Sequence, residues 1–119
     1  MKYLLSIFIM LMVASCYYDK EGNLYPTATC DSASVSYATV IKPKVFDVFC
    51  NNSGCHNTAS KAGTVALDVF ADAKSAVQNK NLICAIEQTG CSNMPKGLPK
   101  MPACNIALVN KWVREGFPN

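Results

Sequence analysis

The chemistry-bearing centre of this 119-residue chain is Cys50-Asn51-Asn52-Ser53-Gly54-Cys55-His56, two cysteines separated by four residues and followed directly by the only histidine. A cysteine pair closed by Cys-His is the pattern of covalent haem attachment. The two thiols add across the vinyl groups of the macrocycle, and the imidazole beside the second thioether reaches the iron from one face. Cys50, Cys55 and His56 supply all three groups. The more usual Cys-x-x-Cys-His spacing is shorter, and the longer loop here contains Gly54, which frees the backbone to fold back.

With one histidine, ligation of iron by two histidines of the same molecule is impossible, so the sixth ligand is another side chain, a small molecule or nothing, and methionine is the natural candidate. Beyond a leader ending at residue 15, the methionines are Met94 and Met101, 38 and 45 residues after His56 and each followed by proline. The proline removes a backbone donor and biases the preceding methionine toward extended geometry, which helps a loop hold a thioether over a ligand face. The competing role for either methionine is that of an adaptable filler in a small core. Other chemistries fit less well. A thioredoxin-type centre needs Cys-x-x-Cys in a strand-helix context, and blue copper needs a second histidine. Structural zinc needs reduced thiols, which an exported chain does not keep, and a dihaem peroxidase needs a second attachment motif.

The elements that must position these groups read as helices. Between Thr39 and Phe49 the apolar residues Ile41, Val45, Val48 and Phe49 fall on one helical face, with Pro43 tolerable only near the first turn. Ala71 to Gln78 and Leu82 to Gln88 are short helical segments rich in Ala and Ile, ending near Gly90. The last helix runs from Ala103 to Glu115, with Ile106, Val109 and Val113 on one face, Trp112 beside them, and Gly116 and Pro118 past its end. Pro102 at its first position would leave Met101 as a cap without a suitable oxygen. From Gly90 to Pro102 the concentration of helix breakers excludes regular structure, and so long a loop in a small domain is a place for function. No strand alternation or internal repeat appears, so the expected class is all-α, about four helices joined by long loops.

Residues 1–15 carry Lys2, an apolar run from Tyr3 to Val13, and the small residues Ala14 and Ser15 ahead of Cys16. That is a secretory signal, too short to stay as a membrane-spanning helix. Val13-Ala14-Ser15-Cys16 resembles the lipobox of bacterial lipoproteins, which implies lipidation at Cys16, several acyl chains giving a stable anchor. Residues 16–34 then read as a polar tether without apolar periodicity, and residues 35–119 as one small domain. Eleven Lys and Arg against eight Asp and Glu give a net charge of +3, falling to +2 without Lys2. That charge, with no basic stripe, argues against nucleic acid. Seven cysteines in so short an exported chain indicate an oxidising compartment.

Several segments together carry a family resemblance. They are Thr39-Val40-Ile41-Lys42-Pro43 before the cysteine motif, Leu67-Asp68-Val69-Phe70 after it, Met94-Pro95-Lys96-Gly97, and Cys104 to Gly116 with Lys111-Trp112 inside. Over about Cys30 to Pro118 the chain resembles the single-haem, class I type cytochrome c domains, particularly those of predicted Bacteroidetes lipoproteins, a family that tolerates the longer cysteine spacing. The resemblance implies a small cytochrome c-like domain of about four helices, with long loops around one covalent haem c. Cys50 and Cys55 would form the thioethers, and His56 and Met94 would be the axial ligands, with Met101 the runner-up. It also implies that the helix from Thr39 to Phe49 crosses the helix from Ala103 to Glu115, burying Phe49, Val109 and Trp112 near the porphyrin edge.

Cys30, Cys84, Cys91 and Cys104 remain, and four cysteines allow three pairings. The expected set is Cys84 with Cys91, bracing the approach to Met94, and Cys30 with Cys104, tying the tether to the last helix. The expected function is a monomeric, lipid-anchored electron carrier of the cell envelope, the outer membrane favoured, serving redox partner proteins. It is not expected to be a catalyst, although an open sixth site would permit peroxidase-like chemistry. Lys61, Lys96 and Lys100 lie in loops that could rim a haem edge or be merely solvated. The alternative is a haem-free binding module stapled by a Cys50–Cys55 disulfide.

Overall fold

The computed structural model describes residues 33–119, and among them it contains helices and no strand. Cys16, expected to carry the lipid, the expected signal and most of the expected tether lie outside the described residues. The all-α class expected from the sequence is therefore the architecture found.

Helix α1 begins after Ser36, whose extended backbone and side-chain oxygen cap Thr39 N–H at 3.3 Å. It runs as a π-helix over Tyr37–Phe46 and finishes in an α-helical turn, Asp47–Phe49. The start two residues ahead of Thr39 places Pro43 inside the helix. In an α-helix its ring would strike the carbonyl four residues back, and the wider i→i+5 ladder, as in Ile41 N–H to the Ser36 carbonyl at 3.1 Å, makes room for it. The widening also moves the apolar stripe. Tyr37, Ile41, Val45 and Phe46 turn inward, whereas Val48, expected on the buried face, is 54 % exposed and Phe49 is half-buried.

Helices α2 (Phe70–Asn79) and α3 (Leu82–Glu87) are separated by a sharp corner at Asn81, a residue type that tolerates the left-handed region it occupies at φ 56°. Helix α4 (Ala103–Arg114) starts after Pro102, which is the cap itself and not the first helical residue. Met101, at 3 % exposure, is held by burial in place of a capping bond. Leu108, buried, joins Ile106, Val109 and Trp112 on the inner face of α4, while Val113 is half-buried.

Helix α1 packs on α4, and the centre of that crossing is Trp112, fully buried. Its ring lies 5.9 Å from Tyr37, 6.3 Å from Phe46, 6.4 Å from Phe70 and 5.0 Å from Phe117. The indole N–H donates to the Pro118 carbonyl at 2.9 Å, and the same carbonyl accepts from Tyr37 N–H at 2.8 Å. One main-chain oxygen thus joins the C-terminal segment to the start of α1. The Tyr37 hydroxyl donates to the Leu67 carbonyl at 2.9 Å, anchoring the long connection to α2. Burial, with Asp68, Asp47 and Asp72 nearby, pushes the Tyr37 phenol up to about 12.

Candidate functional site

The segment after α1 folds back on itself by main-chain bonds. His56 N–H donates to the Cys50 carbonyl at 3.0 Å, Cys55 N–H to Asn52 at 2.9 Å, and Leu67 N–H to His56 at 2.6 Å. Gly54 provides the left-handed residue this return needs, at φ 80°. Asn57 clamps the loop from within, donating to the Asn51 carbonyl at 3.2 Å and accepting from Ser60 N–H at 2.9 Å. Asp68 closes its far side by accepting from Thr58 N–H at 3.0 Å and the Thr58 hydroxyl at 2.8 Å, and these bonds hold its carboxyl below the usual carboxylate range.

This folded loop presents Cys50 and His56 to a chamber of about 290 Å³. Most of the other walls are apolar, with Val65 and Leu67 from the connection, Ala76 from α2, and Leu82, Ala85 and Ile86 from α3, and Lys80, Asn81 and Ser92 are the polar members of the lining. Met94 completes the lining. Its backbone is held by α3, since Met94 N–H donates to the Ala85 carbonyl at 3.0 Å and the Gln88 side-chain amide to the Met94 carbonyl at 3.4 Å. A disulfide between Cys84 and Cys91, as expected, ties the Met94 loop to α3, with Cα atoms 5.7 Å apart, and Cys91 itself faces the chamber.

The two motif cysteines are both free thiols, with Cys50 buried and Cys55 exposed. Burial, with the neighbouring Cys55, pushes the Cys50 thiol up to about 12. Nδ1 of half-buried His56 is shielded from solvent and has no hydrogen-bond partner. That nitrogen is an unpaired buried polar atom, and the His56 side chain lies in the chamber lining.

Met101 has a different placement. It packs in the hydrophobic core and does not line the chamber. Lys61, Lys96 and Lys100 are exposed. Cys104 is disulfide-bonded, and Cys30, its expected partner, lies outside the described residues. Among the described residues no group of three or more His, Cys, Asp and Glu side chains is gathered as metal ligands.

The sequence reading did not identify α3 as a chamber wall, although Leu82, Ala85 and Ile86 carry the i, i+3, i+4 signal of one apolar helix face. It also passed over Lys80, which lines the chamber beside Asn81. No protein-family model matches the chain, and neither a curated protein nor a solved structure matches it.

Proposed function

We propose that the protein is a lipid-anchored monohaem c-type cytochrome that carries electrons at the bacterial cell envelope. The observation that carries this reading is the meeting of Cys50 and His56, from the folded loop after α1, with Met94, from the loop after α3, on one largely apolar chamber. The residues present fit the group. The walls are largely hydrocarbon, as a macrocycle requires, with Lys80, Asn81 and Ser92 as the polar members, while exposed Cys55 stands outside the lining. His56 offers a buried nitrogen with no protein partner, and a thioether stands in the same lining. At about 290 Å³ the chamber is at the small end of small-molecule sites, roughly 300–1,000 Å³, so a flat ligand would sit with an edge outward.

Bound haem supplies an iron that alternates between two oxidation states. The chain does the rest. The thiols of Cys50 and Cys55 would hold the ligand covalently, and His56 and Met94 would supply a nitrogen and a sulfur ligand. The apolar walls exclude water and thereby set the cost of the charged state. Cys16 lipidation would hold the domain at the membrane surface, the outer membrane favoured, as a monomer within reach of redox partner proteins.

The test is expression of the full chain in a periplasm equipped for cytochrome c maturation, followed by denaturing mass measurement and visible spectra. A mass gain of one haem with a sharp α-band on reduction supports the reading. A colourless protein that loses only the hydrogens of its disulfides, with Cys50 joined to Cys55, would replace it with a haem-free binding module.

A further inference from the structure

The bonds that hold Met94 on the chamber wall all lead to α3 and its C-cap. Met94 N–H donates to the Ala85 carbonyl at 3.0 Å, and the Met94 carbonyl accepts the Gln88 amide at 3.4 Å, a long contact for such a pair. The covalent tie, Cys84–Cys91, enters the loop three residues before Met94. From Ser92 to Lys100 every residue is exposed except half-buried Met94 and buried Pro95. A segment with so little buried surface has low local stability, and a crosslink at its start restricts the open states into which it could escape.

Helix α3 has its own hold on the domain. Leu82 and Ile86 are buried, and the Asn110 side chain of α4 donates to Glu87 at 2.8 Å. The aromatic cluster around Trp112 includes neither Cys84 nor Cys91. Opening the disulfide therefore acts on one side of the bond: α3 keeps its place and the Met94 loop loses its tie.

The pair is also placed for thiol exchange. Cys91 is half-buried between exposed Gly90 and Ser92, which favours its sulfur as the point of attack. Cys84 Sγ accepts a hydrogen bond from the hydroxyl of exposed Thr89 at 3.7 Å, and a donor there stabilises Cys84 as the leaving thiolate. A dithiol carrier attacks Cys91 Sγ with one thiolate, and the electron pair of the S–S bond passes to Cys84 Sγ. The carrier's second thiol then displaces Cys91. Cys84 and Cys91 end as thiols, having gained two electrons and two protons, and the carrier leaves as a disulfide.

We propose that the Cys84–Cys91 disulfide is a redox-controlled latch, whose reduction frees the Met94 loop from α3, withdraws the thioether from the chamber and opens that wall to a small neutral ligand. This regulation rests on the haem reading of the chamber. It makes the disulfide form an electron carrier with Met94 in place, and the dithiol form a binder of exogenous ligands.

Two measurements on the full chain separate the latch from the haem reading. In the apoprotein, reduction by a phosphine should speed hydrogen exchange at the Met94 amide at least about tenfold, while the amides of Val109 and Trp112 keep their protection. In the matured protein, with iron reduced by ascorbate, which leaves disulfides intact, carbon monoxide should shift the visible spectrum only after phosphine treatment. Cys84→Ser/Cys91→Ser should take up carbon monoxide without phosphine and show no further change with it, which excludes an effect through the disulfide of Cys104. Met94 exchange unmoved by reduction, equal acceleration in α4, or carbon monoxide binding to the disulfide form overturns the latch. A chain that takes up no haem overturns the electron-carrier reading instead, and Met94 exchange alone then decides the latch.

Discussion

The two halves of this small domain use apolar residues in opposite ways. Around the crossing of α1 and α4, Trp112 is enclosed by Tyr37, Phe46, Phe70 and Phe117 with no solvent access. Around Cys50, His56 and α3, largely apolar residues surround about 290 Å³ of space. Native interiors are packed close to crystal density, so a largely apolar hollow of this volume marks the candidate site of the domain. The two Met-Pro pairs divide along the same line, with Met101 inside the packed half and Met94 on the wall of the hollow half.

The packed half should break hardest. Trp112→Ala removes the ring on which the core converges and leaves the Pro118 carbonyl with one donor fewer. Its expected cost is about 3–5 kcal/mol, a large share of the stability of a domain this size, and chemical denaturation should show the unfolding midpoint moved to much lower denaturant. A loss under about 1 kcal/mol would mean that the aromatic cluster is not the core.

The contrast sharpens when one substitution is made on both sides. Ala73 on α2 is fully buried and does not line the chamber, whereas Ala85 on α3 faces it. Ala73→Phe should cost about 1–3 kcal/mol by overpacking. Ala85→Phe has space to enter, so its effect on apoprotein stability should stay within about 1 kcal/mol while incorporation of haem is lost. Thermal unfolding, paired with the haem content of the matured protein, checks both. Equal destabilisation would show the hollow to be unable to receive a side chain.

The smaller effects concern pH. Tyr37 in the packed half has its phenol raised from about 10 to about 12. The folded state therefore favours the neutral form, and that stabilisation is complete below pH 10 and lost as pH rises through 12. Asp47 goes the other way. Burial raises its carboxyl, but hydrogen bonds from Lys42 at 2.7 Å and Asn51 at 2.8 Å outweigh that, and it lies below its ordinary value, as does Asp68. Their contribution is present above the ordinary carboxylate range and lost as pH falls through the lowered values. Stability of Tyr37→Phe and Asp68→Asn followed across pH should flatten the alkaline and the acid limb respectively.

Much of this was legible because periodicity reports which faces are apolar. Helices were expected at Ala71 to Gln78, Leu82 to Gln88 and Ala103 to Glu115, and they occur at Phe70–Asn79, Leu82–Glu87 and Ala103–Arg114. Helix α1 was read less well because an α-helical period was applied to a segment that Pro43 forces into a wider coil. That exchanged Phe46 for Val48 on the buried face. The motif residues Cys50, Cys55 and His56 announced themselves by type and spacing. What periodicity cannot say is whether an apolar face meets another face or an empty space, and so α3 gave no sign of being a wall. The choice between Met94 and Met101 was equally closed to local reasoning, since both precede proline in one loop and only the tertiary packing separates them.

That separation gives the most direct test of the central claim, that Cys50, His56 and Met94 surround a haem. Wild type, Met94→Ala and Met101→Ala are matured with haem, and the weak methionine-to-iron band of the oxidised visible spectrum is recorded for each. The account predicts the band in the wild type, its loss in Met94→Ala, and its survival in whatever folded Met101→Ala can be recovered. A wild type without haem, or a band that persists in Met94→Ala, would contradict it.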